Sequence, residues 1–445
     1  MIGVAEQRYA SRSTGPYPRR SSGQIQAAVI LREALSARMA TATRIPVPEP
    51  QLTADEIVAR AVALRELVLA EAAEAEERGT YSPELHEHFV AAGFHRILQP
   101  RRFGGYEFGL DTFYRVIIAI SSADAGIGWN LCLGSAHALQ VGAFFPERAQ
   151  AELFGPDGHF VGPSRAIPRG QATPAPGGFR VSGRWDYCSG ATYSTHLVAL
   201  ATVAGSDERI MVAIPRSDYE ILDDWGHGAT IGLGGTASNT ITADDVFVPA
   251  HLAVRYDWKD FEMPREGTIG FQLHGNPLYL ARAMTFFYAS LNAIQIGNAR
   301  AALEEYEAMM TTRPTSFPPP IPRSDSVDYQ RWYGEAYSLV DTAELAFFGA
   351  LARFADKCVG FAERGEPFAT ADDGAIRDVL AQCGRLAWQS VDLMFCTGGS
   401  SAARRGSRLD RAFRDAAMFR THIGAQYDVV FASTGRARLG QPLTH

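Results

Sequence analysis

No stretch of about 18 uninterrupted apolar residues, the length a membrane helix needs, occurs in the 445-residue chain. The most apolar segment, Val116 to Phe145, is broken by Asp124, His137 and several glycines and serines. Cysteine is scarce. Cys132, Cys188, Cys358, Cys383 and Cys396 are widely spaced and form no CxxC. That argues against a disulfide framework or a zinc ribbon and favours a reducing compartment, hence the cytoplasm. Positive charge is not in excess, and a formal net charge of -7 predicts no nucleic-acid footprint. Metal-ligand patterns are also missing. HExxH is absent, and the two imidazoles of His86-Glu-His88 point to different faces of a helix, so no metal is expected.

What is present is a chain with 46% hydrophobic residues. That content can offset the entropy of folding and excludes a wholly disordered protein. The length suits two or three domains. Residues 1–50 are rich in Arg, Ser, Ala and Pro and lack an apolar targeting core, so they read as a disordered extension. Thr53-Ala-Asp-Glu56 is a capping box, and an Ala/Glu-rich helix follows to about Arg78. Ser82-Pro-Glu starts another helix, and Leu110 to Ser122 and Gly128 to Phe145 read as buried helices.

Beyond about residue 160 the pattern changes to period two. Gly178–Trp185, Leu197–Val203, Arg209–Pro215 and Thr240–Pro249 are strand-like. The helical period then returns over Arg282–Met310, Tyr329–Phe361, Asp373–Phe395 and Leu409 to about Ala437. The fold class expected is mainly α with a central β domain. Residues 51–160 form a helical domain, 161–255 an antiparallel β-barrel or sandwich, and 256–445 a four-helix bundle.

Individual motifs carry little alone. Gly232-Leu-Gly-Gly-Thr-Ala237 loosely fits a dinucleotide fingerprint, but no crossover helix is in reach, so it reads as a glycine-rich turn. Gly398-Gly-Ser-Ser-Ala402 falls short of a GxSxG elbow and lacks a preceding strand. It is a helix–helix turn whose glycines would also admit a pyrophosphate. His137 and His422 lie in helical, apolar surroundings, where a lone histidine is ordinarily a hydrogen-bonded core residue.

Taken in order, the motifs carry a resemblance. They are Gly128-Trp129 with His137, Gly177 to Gly190, Trp225 with Gly232 to Asn239, Asp245-Val-Phe-Val-Pro249, Gly398 to Ser401, and Arg414-Asp-Ala with His422. From about residue 52 to 440 the chain resembles the acyl-CoA dehydrogenase superfamily. Within it, the chain resembles the group D two-component flavin-dependent monooxygenases, the oxygenase components similar to 4-hydroxyphenylacetate hydroxylase. Dehydrogenases of that superfamily need a glutamate base. The two places where the family carries it hold Ile423 and Phe287 here, and neither accepts a proton.

The resemblance implies an oxygenase that takes reduced FMN or FAD from a separate NAD(P)H-dependent flavin reductase. It would react with O2 through a C4a-hydroperoxide and hydroxylate a small aromatic, phenolic substrate. It maps a flavin-N5 hydroxyl onto Ser189, and substrate-holding or activating groups onto His137, Ser164 and His422. Trp129, Tyr187, Cys188, Ser189 and Gly190 are expected along the flavin, and Arg282 on its phosphate. A neighbouring subunit of a homotetramer would contribute Gly398, Gly399, Ser400 and Ser401. Two alternatives stay open: N- or S-oxygenation on the same scaffold, and an acyl-CoA dehydrogenase or oxidase with a displaced base.

Overall fold

The computed structural model describes residues 44–256 and 261–441. Most of the extension expected over 1–50 therefore lies outside the described residues. Ile45 is placed and buried, its amide bonded to the Arg102 carbonyl at 3.0 Å.

Helices come first. The capping box is formed, with Thr53 and Glu56 exchanging hydrogen bonds at the start of α1 (Ala54–Ala63). The expected single helix to Arg78 is two, because α2 (Arg65–Arg78) restarts after Leu64. Ser82 caps α3 (Pro83–Ala92) through the Leu85 amide at 3.1 Å. Next come α4 (Leu110–Ser121) and α5 (Ala125–Ala136), both buried over most of their circumference. A helix buried all round needs small residues where it meets its neighbours. At Gly128 a Cβ would stand 2.0 Å from Ser121 Oγ, so glycine is what lets the two backbones approach. The helix expected over Gly128–Phe145 is also two, with α6 (Ala138–Phe144) beginning after His137. The short α7 (Glu147–Leu153) follows.

The β domain corrects the barrel or sandwich expectation. It is one open seven-stranded sheet in the order β5-β6-β2-β1-β3-β4-β7. The strands are β1 (Ser164–Ala175), β2 (Gly178–Trp185), β3 (His196–Val203), β4 (Arg209–Pro215), β5 (Glu220–Ile221), β6 (Ile241–Pro249) and β7 (Ala253–Arg255). It is not wholly antiparallel, because β1 runs parallel to β3. The first strand escaped sequence reading because it holds Pro168, Gly170 and Pro174. The register against β3 shifts between Arg165 and Gly170, and this irregularity absorbs Pro168.

After α8 (Ile269–His274), three long helices pack together: α9 (Ala283–Thr312), α10 (Val327–Val359) and α11 (Thr370–Gly398). The expected fourth helix is broken into α12 (Arg408–Phe419) and α13 (Tyr427–Arg438), with His422 in the break. Helix α12 runs antiparallel to α9. Arg408 pairs with Glu304 at 2.9 Å, and Asn298 Nδ2 donates to the Ala412 carbonyl at 2.8 Å. No helix among the described residues is long and apolar enough to cross a membrane.

The start of α9 is held from α11. Asp373 accepts from the Met284 and Thr285 amides at 3.1 and 2.9 Å and from Thr285 Oγ1 at 2.6 Å. Its carboxylate also lies 3.7 Å from Arg282 Nε, with both side chains almost fully enclosed. Asp373→Ala would orphan two helix-end amides and leave a buried guanidinium uncompensated. The expected cost is about 3–5 kcal/mol, read as a lowered urea midpoint.

Candidate active site

The segment after β2 and the glycine-rich turn before β6 are joined backbone to backbone. The amides of Cys188, Gly190 and Ala191 each bond a carbonyl of the other loop, those of Asn239, Thr236 and Ala237, at 3.1 Å. Two left-handed residues shape the segment, Tyr187 at φ 57° and Gly190 at φ 83°. At Gly190 a Cβ would also lie 3.0 Å from the Gly134 Cα, so glycine is required there twice over. The turn is anchored in its own right, with the Leu233 amide donating to Asp415 at 2.5 Å.

Ser189 is thereby presented to α5. Trp129 Nε1 donates to Ser189 Oγ at 2.9 Å, and Ser238 Oγ lies 2.7 Å from the same oxygen. The Trp129 ring is 5.6 Å from the His422 ring, and Phe287 and Phe419 complete an aromatic wall about that imidazole. His422 Nδ1 accepts from the Gly424 amide at 3.0 Å, so the neutral ring carries its proton on Nε2. Burial, then the nearby Arg165 charge, lowers its pKa to about 4.

His137 is fixed in the opposite tautomer. Its Nδ1 is 2.7 Å from both the Leu133 and Gly162 carbonyls. Carbonyls only accept, so Nδ1 donates and Nε2 keeps a bare lone pair. Burial is the main cause that lowers this pKa, also to about 4. His137 packs on Phe286 at 6.0 Å and His422 on Phe287 at 6.1 Å, so the two imidazoles flank the first turns of α9. The half-buried Ser164 starts β1 two residues beyond the carbonyl that holds His137.

Sequence reasoning missed Arg165 and Asp186. Their Nε and Oδ1 form an ion pair at 3.4 Å, and both atoms are buried without a hydrogen-bond partner. The Arg165 guanidinium lies 5.6 Å from the Tyr187 ring, which is 53% exposed. Trp225 Nε1, likewise buried and unpartnered, belongs to the ring against which Tyr187 packs. No pattern in the sequence marks these residues, since what distinguishes them is polar atoms without a hydrogen-bond partner. A flat ring edged with nitrogen and oxygen, such as a flavin, fits polar atoms left open around an exposed aromatic side chain.

Other expected residues have different employment. Cys188 is buried, its thiol donating to the Trp185 carbonyl and its pKa raised to about 12 by burial. The Cys188 and Gly190 amides are already spent on the loop pairing and are not free for a ligand. Arg282 is buried and engaged within the chain by Asp373, the Thr370 hydroxyl and the Phe261 carbonyl, although its Nε has no hydrogen-bond partner. Gly398 packs near Met309 at the far end of α9, about 33 Å along the helix from Phe287 at 1.5 Å per residue. Gly399, Ser400 and Ser401 are exposed there, with Arg313 Nη1 donating to Ser401 at 2.8 Å and Arg323 Nη1 to the Gly398 carbonyl at 3.0 Å. One chain therefore does not bring this turn to Ser189.

Comparison with known proteins agrees with this architecture. Residues 289–427 match the family described as acyl-CoA dehydrogenase, C-terminal domain. A flavin-dependent monooxygenase oxygenase subunit, HsaA of Rhodococcus jostii, is 29% identical over 79% of this chain and 90% of its own. The oxygenase component of an FADH(2)-dependent resorcinol hydroxylase from a Rhizobium species is 27% identical over 88% of this chain and 97% of its own. The crystal structure of 3-HSA hydroxylase from a Rhodococcus species superposes with a TM-score of 0.79 at 26% identity, covering 88% and 98% of the two chains. Over most of its length the chain is similar to flavin-dependent oxygenase components, and its C-terminal helices match the acyl-CoA dehydrogenase C-terminal domain. These relatives are named as flavin-dependent monooxygenases or hydroxylases, one of them FADH(2)-dependent, which supports reduced flavin with O2. Acyl-CoA chemistry is not favoured, and neither Phe287 nor Ile423 offers a carboxylate.

The neutral imidazoles give a pH signature. Folded-state pKa values near 4 for His137 and His422 lie below the ordinary 6.5. Below pH 6.5 the unfolded chain therefore takes up protons that the folded chain refuses. Stability is expected to fall as the pH drops from 6.5 towards 4, by about 3 kcal/mol per histidine at the lower limit. Urea midpoints measured between pH 7 and 4.5 read this loss, and His137→Gln should flatten the slope.

Proposed function

We propose that this chain hydroxylates a small phenolic ring, using reduced FMN or FAD delivered in the cytoplasm by a separate NAD(P)H-dependent flavin reductase. The observation that carries the reading is the pair of histidines frozen in opposite tautomers. The bare Nε2 of His137 can accept the phenol proton, and two backbone carbonyls on Nδ1 steady the cation that results. Ser164 supports the same hydroxyl. The Nε2–H of His422 donates to an oxygen on the opposite side. Ser189 contacts the flavin at N5, with Trp129 holding its oxygen, and the exposed ring of Tyr187 lies along the flavin. The aromatic wall of Trp129, Phe287 and Phe419 keeps water out. Bound reduced flavin supplies, together with dioxygen, the electrophilic oxygen atom.

The Gly398–Ser401 turn reaches a flavin only from a neighbouring copy, which supports assembly as a homotetramer. Arg313, already on Ser401, brings a guanidinium to that turn. The resorcinol hydroxylase among the relatives acts on a phenolic ring, consistent with this substrate class. N- or S-oxygenation would need no buried imidazole lone pair, so the His137 arrangement favours the phenol.

His137→Ala is expected to lower hydroxylation by about 10²-fold, while oxidation of reduced flavin continues and H2O2 rises. Product and peroxide yields measured together read this split, and full hydroxylation in the variant would count against the phenol. Acyl-CoA thioesters added without oxygen are expected to leave bound oxidised flavin unreduced.

A further inference from the structure

Three histidines with no part in the chemistry above meet in space: His86 on α3, His95 in the single turn Phe94–Arg96, and His159 just before β1. The sequence offers only the pairing of His86 with His88, which a helix keeps apart. Folding brings His86 instead to histidines far along the chain. The ring centroids form a triangle with sides of 5.3 Å (His86 to His95), 5.8 Å (His95 to His159) and 6.0 Å (His86 to His159). His95 is 3% exposed. Its Nδ1 lies 2.8 Å from Ser135 Oγ, and its Nε2 is buried with no hydrogen-bond partner. A buried ring nitrogen left unpaired is costly, and the rings packed nearest to it are the other two imidazoles.

Three imidazoles on one ion, each nitrogen about 2.0–2.1 Å from it, have centroids roughly 5–5.5 Å apart. The observed triangle needs to close by only about half an ångström along its longer sides. As the side chains stand, no three ligating groups among the described residues converge on one ion. The two outer rings can correct this. His86 and His159 are half-buried, and an imidazole turned half a revolution about Cβ–Cγ keeps its plane while nitrogens and carbons exchange places. The tie on His86, Nδ1 to Tyr81 Oη at 3.3 Å, is long and cheap to give up. Tyr193 stacks flat on the same ring at 4.1 Å, a contact that a half-turn preserves. Burial holds all three rings neutral, lowering His86 to about 4 and lowering His95 and His159 as well, so lone pairs are available at neutral pH.

We propose that His86, His95 and His159 form a three-histidine site for a borderline transition-metal ion, Zn2+ above all, with water as the fourth ligand. Ser135 takes the Nδ1 proton of His95, which leaves the Nε2 lone pair for the ion. The Arg96 cation faces the same rings, but its guanidinium is engaged by the carbonyls of Gly104 and Asp157. The Asp157 carboxylate, which accepts from the His159 amide at 3.0 Å, offsets that charge. The ion joins α3, the turn after it and the chain entering β1. That chain includes Gly162, whose carbonyl holds His137, so the ion braces a support of the candidate site from outside it.

Zinc chloride titrated calorimetrically into the untagged, chelator-treated full-length protein tests this, with Co2+ as a spectroscopic probe. One equivalent is expected to bind. Co2+ should show the intense visible bands of a four-coordinate ion without the near-ultraviolet band of a thiolate, which separates this site from the exposed Cys396. His86→Ala and His159→Ala should each weaken Zn2+ binding by about 100-fold or more, and Ser135→Ala by about tenfold. His88→Ala, exposed on the same helix, should leave binding unchanged. Zn2+ should raise the Tm of the parent and not that of the His86 or His159 variants. His86→Gln and His159→Gln, closer in size, carry the same expectation if an alanine variant fails to fold. No saturable uptake, a thiolate-type Co2+ spectrum, or binding that survives in the His86 and His159 variants would overturn the proposal.

Discussion

Three amide-to-carbonyl bonds between residues 188–191 and 236–239 are the constraint on which the site depends. Each loop has only a single 3-10 turn of its own, Ala191–Tyr193 and Gly234–Thr236. Joined, they satisfy each other's backbone groups in a place water does not reach. Their contact with α5 works only because Gly190 meets Gly134 without a side chain between them. Trp129 lies on that same helix, so the backbone approach places an indole N–H against Ser189. The Ser189 hydroxyl is thus held by three separate pieces of chain, the end of β2, the glycine-rich turn and α5.

The two histidines illustrate how burial and backbone geometry select a chemical state. Low pKa values alone would make both rings neutral and alike. The partners on Nδ1 distinguish them, two carbonyls for His137 and an amide for His422. One ring is left as an acceptor and the other as a donor, at the same operating pH. Both occur where a helix is interrupted. His137 joins α5 to α6, and His422 fills the break between α12 and α13. An unbroken helix would have paired the Leu133 carbonyl and the Gly424 amide that these imidazoles use instead.

Helix α9 organises the larger scale. Its first turns carry Phe286 and Phe287 beside the two imidazoles, and its last turns carry Met309 beside the Gly398 turn. Asp373 of α11 fixes the near end. Helix α12 returns along α9 from the distal turn to His422. A rod of that length keeps the Gly398 turn far from the two imidazoles within one chain.

The sequence alone determined the order of helices, strands and helices, because hydrophobic period is a local property written into consecutive residues. It also determined individual caps, such as Thr53 with Glu56, whose partners are three residues apart. The motifs in their order raised Ser189, His137, Ser164 and His422 as candidates. Tertiary structure decided the rest. It turned a barrel into an open sheet with one parallel pair, because strand partners are chosen across long separations. It enclosed Arg282 with Asp373, 91 positions away. It also showed Arg165, Asp186, Ser238 and Thr236 around the site. What matters in these residues is which atom meets which partner, and which meets none. That depends on how distant segments pack, not on any spacing along the chain.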